Sequence, residues 1–266
     1  MSPRRQLLLA VSAGLLVGLV LLGLLVAVRG RGNAPLPGTT VAQDQLGTVL
    51  LVPGYGGGTG GLEVLAGKLR AQGRTTVVVA PVGDGTGDLR LQAAALKRAA
   101  DEAIAAGAPS VDVVGFSAGG VIARIWADEL DGARIARRVV TLGAPHHGTK
   151  IAAFGAAFSP QNCPEACAQL APDSSLLRKL EATPDGPVWT SIYTRTDQVV
   201  TTPDSARLDG ALTIQLQKVC ADEAVDHGGL PANALVGAIV ARALGITPLE
   251  VVPVASECSA LRTAGA

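Results

Sequence analysis

Two hydrophobic rhythms alternate along the chain from residue 47 onward. Short, almost unbroken apolar runs, "GTVLLVP" (47–53), "TTVVVAP" (75–81), "SVDVVGF" (110–116) and "IARRVVTLG" (135–143), are separated by longer stretches in which apolar residues return about every 3.6 positions. Those stretches are "GLEVLAGKLRAQG", "GDLRLQAAALKRAADEAIAAG" and "AGGVIARIWADEL". The short runs predict strands buried on both faces, and the long ones predict helices packed by one side. Gly73 closes the first helix, and Asp88 stands where the second needs an N-terminal cap. Strict succession of strand and helix predicts an α/β fold with a parallel central sheet and helices on both faces. The rhythm breaks between residues 151 and 187, which are expected to form an excursion above the sheet. It resumes with two further strands, "PVWTSIYTRTD" (187–197) and "ALTIQLQKVC" (211–220), and a final helix, "LPANALVGAIVARALG" (230–245).

The N-terminus follows neither rhythm. No charge lies between Arg5 and Arg29, and residues 7–28 would run about 33 Å as a helix, against a hydrocarbon core of about 30 Å. The run is longer than a signal-peptide core, and "VAVRGRG" is a poor cleavage site. Residues 1–31 are therefore expected to be a retained membrane anchor, with a cleaved signal sequence as the alternative. Arg4 and Arg5 favour a cytoplasmic N-terminus, which leaves the rest of the chain extracytoplasmic. Residues 32–46 hold Pro, Gly and polar side chains without a period and read as a linker, leaving 47–266 as the folded domain.

Composition narrows the choice of function. Of 266 residues 48% are hydrophobic but only 3% aromatic, so the core is built from Val, Leu, Ile and Ala. Basic and acidic residues balance at 22 each, so nothing in the charge points to nucleic acid or to a polybasic membrane patch. No obligate protein partner is evident. All four cysteines follow the apolar run, and an even number in an oxidising compartment points to two disulfides. Cys163 and Cys167 stand at i and i+4, where Cα atoms on one helical turn lie about 6 Å apart, within disulfide reach. That pairing leaves Cys220 for Cys258. A zinc site with neighbouring histidines is the alternative, but no C-x2-C or H-x3-H spacing accompanies it.

Candidate chemistry begins at "GFSAGG", which sets Ser117 in a G-x-S-x-G pattern between a predicted strand and a predicted helix. Such a turn is strained, needs room on both sides of the serine, and projects the hydroxyl above the sheet at the positive end of the next helix. A hydroxyl becomes a nucleophile only when a base removes its proton. The chain has three histidines. His227, in "DHGGLP" between the last strand and the last helix, stands where the order serine, acid, histidine puts the base. His146 and His147 follow only one strand after Ser117 and read as structural or rim residues. Among acids, Asp197 ends a strand at the sheet edge where ligands bind, and is favoured over Asp204 in the following polar loop and over Asp226 beside His227.

The loop "LVPGYGGGTGG" (51–61) allows two readings. Gly56, Gly58 and Gly61 satisfy G-x-G-x-x-G, the spacing of a dinucleotide-binding turn, with Asp84 near the distance of a ribose-binding acid. Pro53, the extra glycines and the "APVG" between strand and Asp84 fit that fingerprint poorly. In the other reading the loop aims backbone N–H groups at an oxyanion, with Tyr55 N–H and Ala118 N–H as the donors.

With these residues in place, the chain resembles the secreted bacterial triacylglycerol lipases and esterases of the α/β-hydrolase family, in particular the small, class 2 lipase-like group without a large cap. The resemblance covers about residues 46–245 and rests on "VPGYGGG", "GFSAGG", "GAPHHGT", "SIYTRTDQVV", "RLDGA" and "DHGGLP". It implies a minimal cap, hydrolysis of carboxylic esters of lipid type through an acyl-enzyme, and Asp197 as the acid. Neither an organic cofactor nor a metal is needed. An acyltransferase with the same three residues is the nearest alternative, and a dinucleotide-binding protein a distant one.

Overall fold

The computed structural model describes residues 41–180 and 183–266. The anchor expected at 1–31 lies outside the described residues, among which no helix is long and apolar enough to cross a membrane. Six strands, β1 (Thr48–Val52), β2 (Thr76–Val78), β3 (Val111–Phe116), β4 (Ala136–Leu142), β5 (Val188–Tyr193) and β6 (Leu212–Gln215), form one sheet in the order β2-β1-β3-β4-β5-β6. Every neighbouring pair is parallel, as the continuous apolar runs predict. The winding reverses between β1 and β3, and in open parallel sheets the C-terminal edge at such a reversal is where ligands bind.

Between the strands run α1 (Gly60–Ala71), α2 (Leu89–Ala105) and α3 (Ala118–Glu129), followed after β4 by the short helices α4 (Lys150–Phe158), α5 (Glu165–Gln169) and α6 (Ser175–Lys179). A single turn, α7 (Leu216–Val219), then α8 (Ala234–Ala243) and α9 (Cys258–Ala264), complete the chain. The period-2 alternation of each strand feeds two cores. Leu50, Val52, Val113 and Val139 pack with α2 and α3 on one face. Val49, Leu51, Val114, Val140 and Ile192 pack with α1, α8 and α9 on the other.

Three expected strands are shorter than their apolar runs. The one expected over 187–197 ends at Tyr193, so Asp197 stands in the loop after the strand and does not end it. The one expected over 75–81 is paired only over Thr76–Val78, because it lies at the sheet edge. The one expected over 211–220 stops at Gln215 and turns into α7. There the Gln217 amide is spent on the loop after β5 and the turn after α7: its Nε2 donates to Thr194 Oγ1 at 2.8 Å and to Glu223 O at 2.9 Å, and its Oε1 accepts from Arg195 N at 2.9 Å. The last helix begins later than its pattern, at Ala234, where Asn233 accepts from Val236 N as its cap.

Both disulfides are present as expected, Cys163–Cys167 and Cys220–Cys258, each with Cα atoms 5.3 Å apart. With the thiols oxidised, the zinc alternative is removed. The excursion after β4 is fastened at its far end: Gln169 accepts from Leu89 N at 2.8 Å and donates to Asp88 Oδ1 at 2.7 Å, joining the cap of α2.

Charge is buried at the opposite, N-terminal edge of the sheet. Asp112 Oδ2 accepts from Arg74 at 2.5 Å and from Arg137 at 2.6 Å, and Asp112 and Arg137 are fully enclosed. Arg137 also donates to the carbonyls of Leu244 and Gly245. Part of the segment expected as linker packs here: Val41 is buried, and Gln43 bonds Arg137 through its carbonyl and Arg138 through its side chain.

Candidate active site

Ser117 sits between β3 and α3 with φ 54° and ψ −126°. A non-glycine residue in that region costs on the order of 1–3 kcal/mol and persists only where its surroundings impose it. Here they do. Ser117 N donates to Leu142 O at 2.8 Å, and Gly120 N donates to Ser117 O at 2.9 Å. A Cβ on Gly119 would stand 2.2 Å from Val52 O, and one on Gly115 2.5 Å from Gly119 O. The two glycines flanking the serine are therefore required by close backbone approach, as the motif predicts.

His227 is buried and its Nε2 lies 3.0 Å from Ser117 Oγ. Its Nδ1 lies 2.7 Å from Asp197 Oδ2. The other carboxylate oxygen, Oδ1, accepts from Val199 N and Val200 N, each at 2.8 Å, so the acid is clamped before it meets the imidazole. The Phe116 ring leans on the imidazole with centroids 5.1 Å apart at 36°. Three side chains separated by 80 and 30 positions thus meet in one line of hydrogen bonds at the C-terminal edge of the sheet.

The competing candidates stand elsewhere. Asp204 accepts from Tyr193 Oη and Arg207 Nε, both of which hold its carboxyl below the usual carboxylate range, with the tyrosine first. Asp226 accepts from Gly229 N in a local turn. His147 is exposed and bonds Ser205. His146 is enclosed, with Nε2 3.1 Å from Thr141 Oγ1 and no partner for Nδ1 among the described residues. Burial, then the nearby Arg124 and His147, pushes its imidazole well below the ordinary value. Arg124 donates to His146 O, and burial pushes its guanidinium down to about 10.

The glycine loop faces the nucleophile. A Cβ on Gly54 would stand 2.8 Å from Ser117 Cβ, and the loop folds back through Gly57 N to Gly54 O and Gly56 N to Gly85 O. The helix after it starts at Gly60, leaving Gly56 and Gly58 in the loop itself. Tyr55 follows Gly54, and Ala118 is the first residue of α3, where backbone N–H groups have no partner within the helix.

The parallel sheet with its surrounding helices matches known structures. Aspergillus fumigatus lipase B superposes with a TM-score of 0.62 at 17% identity over 87% of this chain. The mature form of the Bacillus licheniformis lipase BlEst2 does so with a TM-score of 0.56 at 16% identity, over 67% of this chain and 85% of that one. The fold is that of an α/β hydrolase. The chain spans 64% of the length of the Aspergillus lipase. No protein-family model and no curated protein matches its sequence.

Sequence reasoning named the three side chains that the fold brings together but missed their supports. The N–H groups of Val199 and Val200 carry no side-chain signal, because any residue but proline supplies one. Phe116 occupies the variable position of G-x-S-x-G, and nothing in its spacing relative to residue 227 announces a ring contact.

Proposed function

We propose that the protein is an extracytoplasmic serine hydrolase of carboxylic esters, acting on lipid-like substrates. The observation that carries this reading is the continuous line from Asp197 through His227 to Ser117, with distances of 2.7 and 3.0 Å. Ser117 Oγ attacks the ester carbonyl as His227 Nε2 takes its proton. Asp197 keeps the imidazole proton on Nδ1 and stabilises the imidazolium that forms. The N–H groups of Ala118 and Tyr55 hold the developing oxyanion, each donor contributing on the order of 2.7–4 kcal/mol to lowering the barrier. His227 then protonates the leaving alcohol, and a water activated by the same imidazole releases the acid.

The lipase names of the structural neighbours support an ester substrate. Two disulfides support an oxidising compartment, and the uncharged run 7–28 supports a signal anchor ahead of the domain. Hydrolysis of p-nitrophenyl esters across acyl lengths tests the reading. Wild type turns over, and Ser117→Ala and His227→Ala lose about 10⁶-fold in kcat. Fluorophosphonate labels wild type and leaves Ser117→Ala unlabelled. Equal rates in all three proteins refute the mechanism. Acyl transfer to an added alcohol in preference to water reassigns the enzyme as an acyltransferase. Sedimentation of the full chain with membranes, and its release on removal of residues 1–31, tests the anchor.

A further inference from the structure

Gly143, the first residue beyond β4, is tied through its backbone to the elements that carry the reactive side chains. The preceding carbonyl, Leu142 O, accepts from Ser117 N at 2.8 Å. Gly143 N donates to Ile192 O at 2.8 Å, on the strand that leads into Asp197. Its φ is 55°, in the left-handed region.

What makes this glycine unusual is what its missing side chain would meet. A Cβ there would stand 3.2 Å from Asp197 Oδ2, 3.3 Å from His227 Nδ1 and 2.7 Å from Leu230 Cδ1. The first two atoms are the pair that share the 2.7 Å hydrogen bond. A leucine methyl can turn aside. The carboxylate has no such freedom, because Val199 N and Val200 N hold its other oxygen. The backbone at 143 cannot retreat without lengthening its bond to β5 and drawing Leu142 O away from Ser117 N. The imidazole is the part left to move, and it moves off the axis that joins Asp197 to Ser117.

We infer that Gly143 is a positioning residue for the proposed reaction: its bare Cα is the seat on which the Asp197–His227 hydrogen bond rests. This rests on the reading of Ser117, His227 and Asp197 given above. It predicts that any side chain at 143 lowers turnover without weakening substrate binding, because the obstruction lies on the far side of the imidazole from the ester.

The test compares wild type, Gly143→Ala, Leu230→Ala, the double variant and Ser117→Ala in the full chain, with p-nitrophenyl butyrate as substrate. The readouts are kcat, KM and the downfield proton resonance of the hydrogen-bonded imidazole Nδ1–H. Gly143→Ala is expected to lower kcat about 10-fold, short of the about 100-fold that a 1 Å displacement costs because contacts of 3.2 and 3.3 Å displace the imidazole by only a few tenths of an ångström, with KM unchanged and the downfield resonance lost. The double variant relieves the 2.7 Å contact with Leu230 and folds even if the single one does not. It stays low in kcat and lacks the resonance, whereas Leu230→Ala keeps it. A merely packing role predicts the opposite, recovery of kcat and resonance in the double variant, and that result overturns the inference. Equal kcat in Gly143→Ala and wild type, with Ser117→Ala inactive, also overturns it while leaving the function intact. Equal rates in wild type and Ser117→Ala remove the function and the inference together.

Discussion

Asp197→Asn changes one atom and reverses the protonation of the site. The carboxylate accepts at both ends: two backbone N–H groups at Oδ1 and the imidazole Nδ1–H at Oδ2. An asparagine in the same place has one acceptor oxygen and one NH₂ group that can only donate. Its oxygen must face Val199 N and Val200 N, since turning the amide would leave both buried donors against an NH₂ group, at about 1–3 kcal/mol each. The NH₂ then faces Nδ1, which can only accept, so the imidazole proton moves to Nε2. Nε2 is the atom 3.0 Å from Ser117 Oγ and can no longer act as the base. A wrong tautomer of this kind costs about 10⁴ in kcat in a serine protease. Four decades correspond to about 5.4 kcal/mol of barrier. Steady-state hydrolysis of a p-nitrophenyl ester should therefore fall about 10⁴-fold with the unfolding midpoint little changed. Asp204→Asn, at an exposed carboxylate bound to Tyr193 and Arg207, should stay within a few-fold of wild type. Wild-type turnover in a folded Asp197→Asn protein, or an equal loss in Asp204→Asn, would refute the assignment of the acid.

Other expectations concern stability. Asp112→Ala strands two arginines at the N-terminal edge of the sheet and should cost about 3–5 kcal/mol in urea unfolding followed by Trp126 and Trp189 fluorescence, with kcat of the folded protein unchanged. His146 has a folded-state pKa below its unfolded value of about 6.5, so above that pH it is neutral in both states and contributes no pH dependence. As the pH falls below about 6.5 the unfolded chain takes up a proton that the folded chain refuses, and stability is lost. The Tm difference between pH 7.5 and pH 5 should accordingly be larger in wild type than in His146→Gln; equal differences would count against a buried neutral imidazole. Removing Cys220–Cys258, which closes a separation of 38 residues, should cost about 4 kcal/mol, and removing Cys163–Cys167, with a separation of 4, about 2 kcal/mol on the chain-entropy scale. A reversed order in paired Cys→Ser variants would show that native-state packing, not loop closure, dominates.

The alternation of strand and helix was legible because a parallel sheet buried on both faces demands runs such as "SVDVVGF" that no amphipathic helix would carry. Ser117 and His227 were legible for a related reason: a strained turn needs glycine on both sides, and the histidine has to follow the last strand. The ends of strands were less legible. "LTIQLQKV" alternates apolar and polar residues far enough to continue as a strand, yet Gln217 is pulled out of the ladder by Thr194, Arg195 and Glu223, contacts made by a loop 22 positions earlier and a turn just after it. Asp112 reads in sequence as a flaw in an apolar strand. Only the fold brings Arg74 and Arg137 to it from two other elements. The demand on Gly143 was hidden altogether, since it comes from side chains 54 and 84 positions downstream.

The amide of Gln169 fills two roles at once, capping Leu89 N and bonding Asp88. A surface insertion joined to the scaffold only by its two ends can be trimmed or exchanged freely. One whose tip also completes a scaffold helix cannot, because shortening it uncovers an amide some 80 residues away. Grafting a different covering segment onto this scaffold therefore calls for a replacement acceptor at the start of α2, and an Asp or Ser brought to Leu89 by the graft is the smallest change that supplies one.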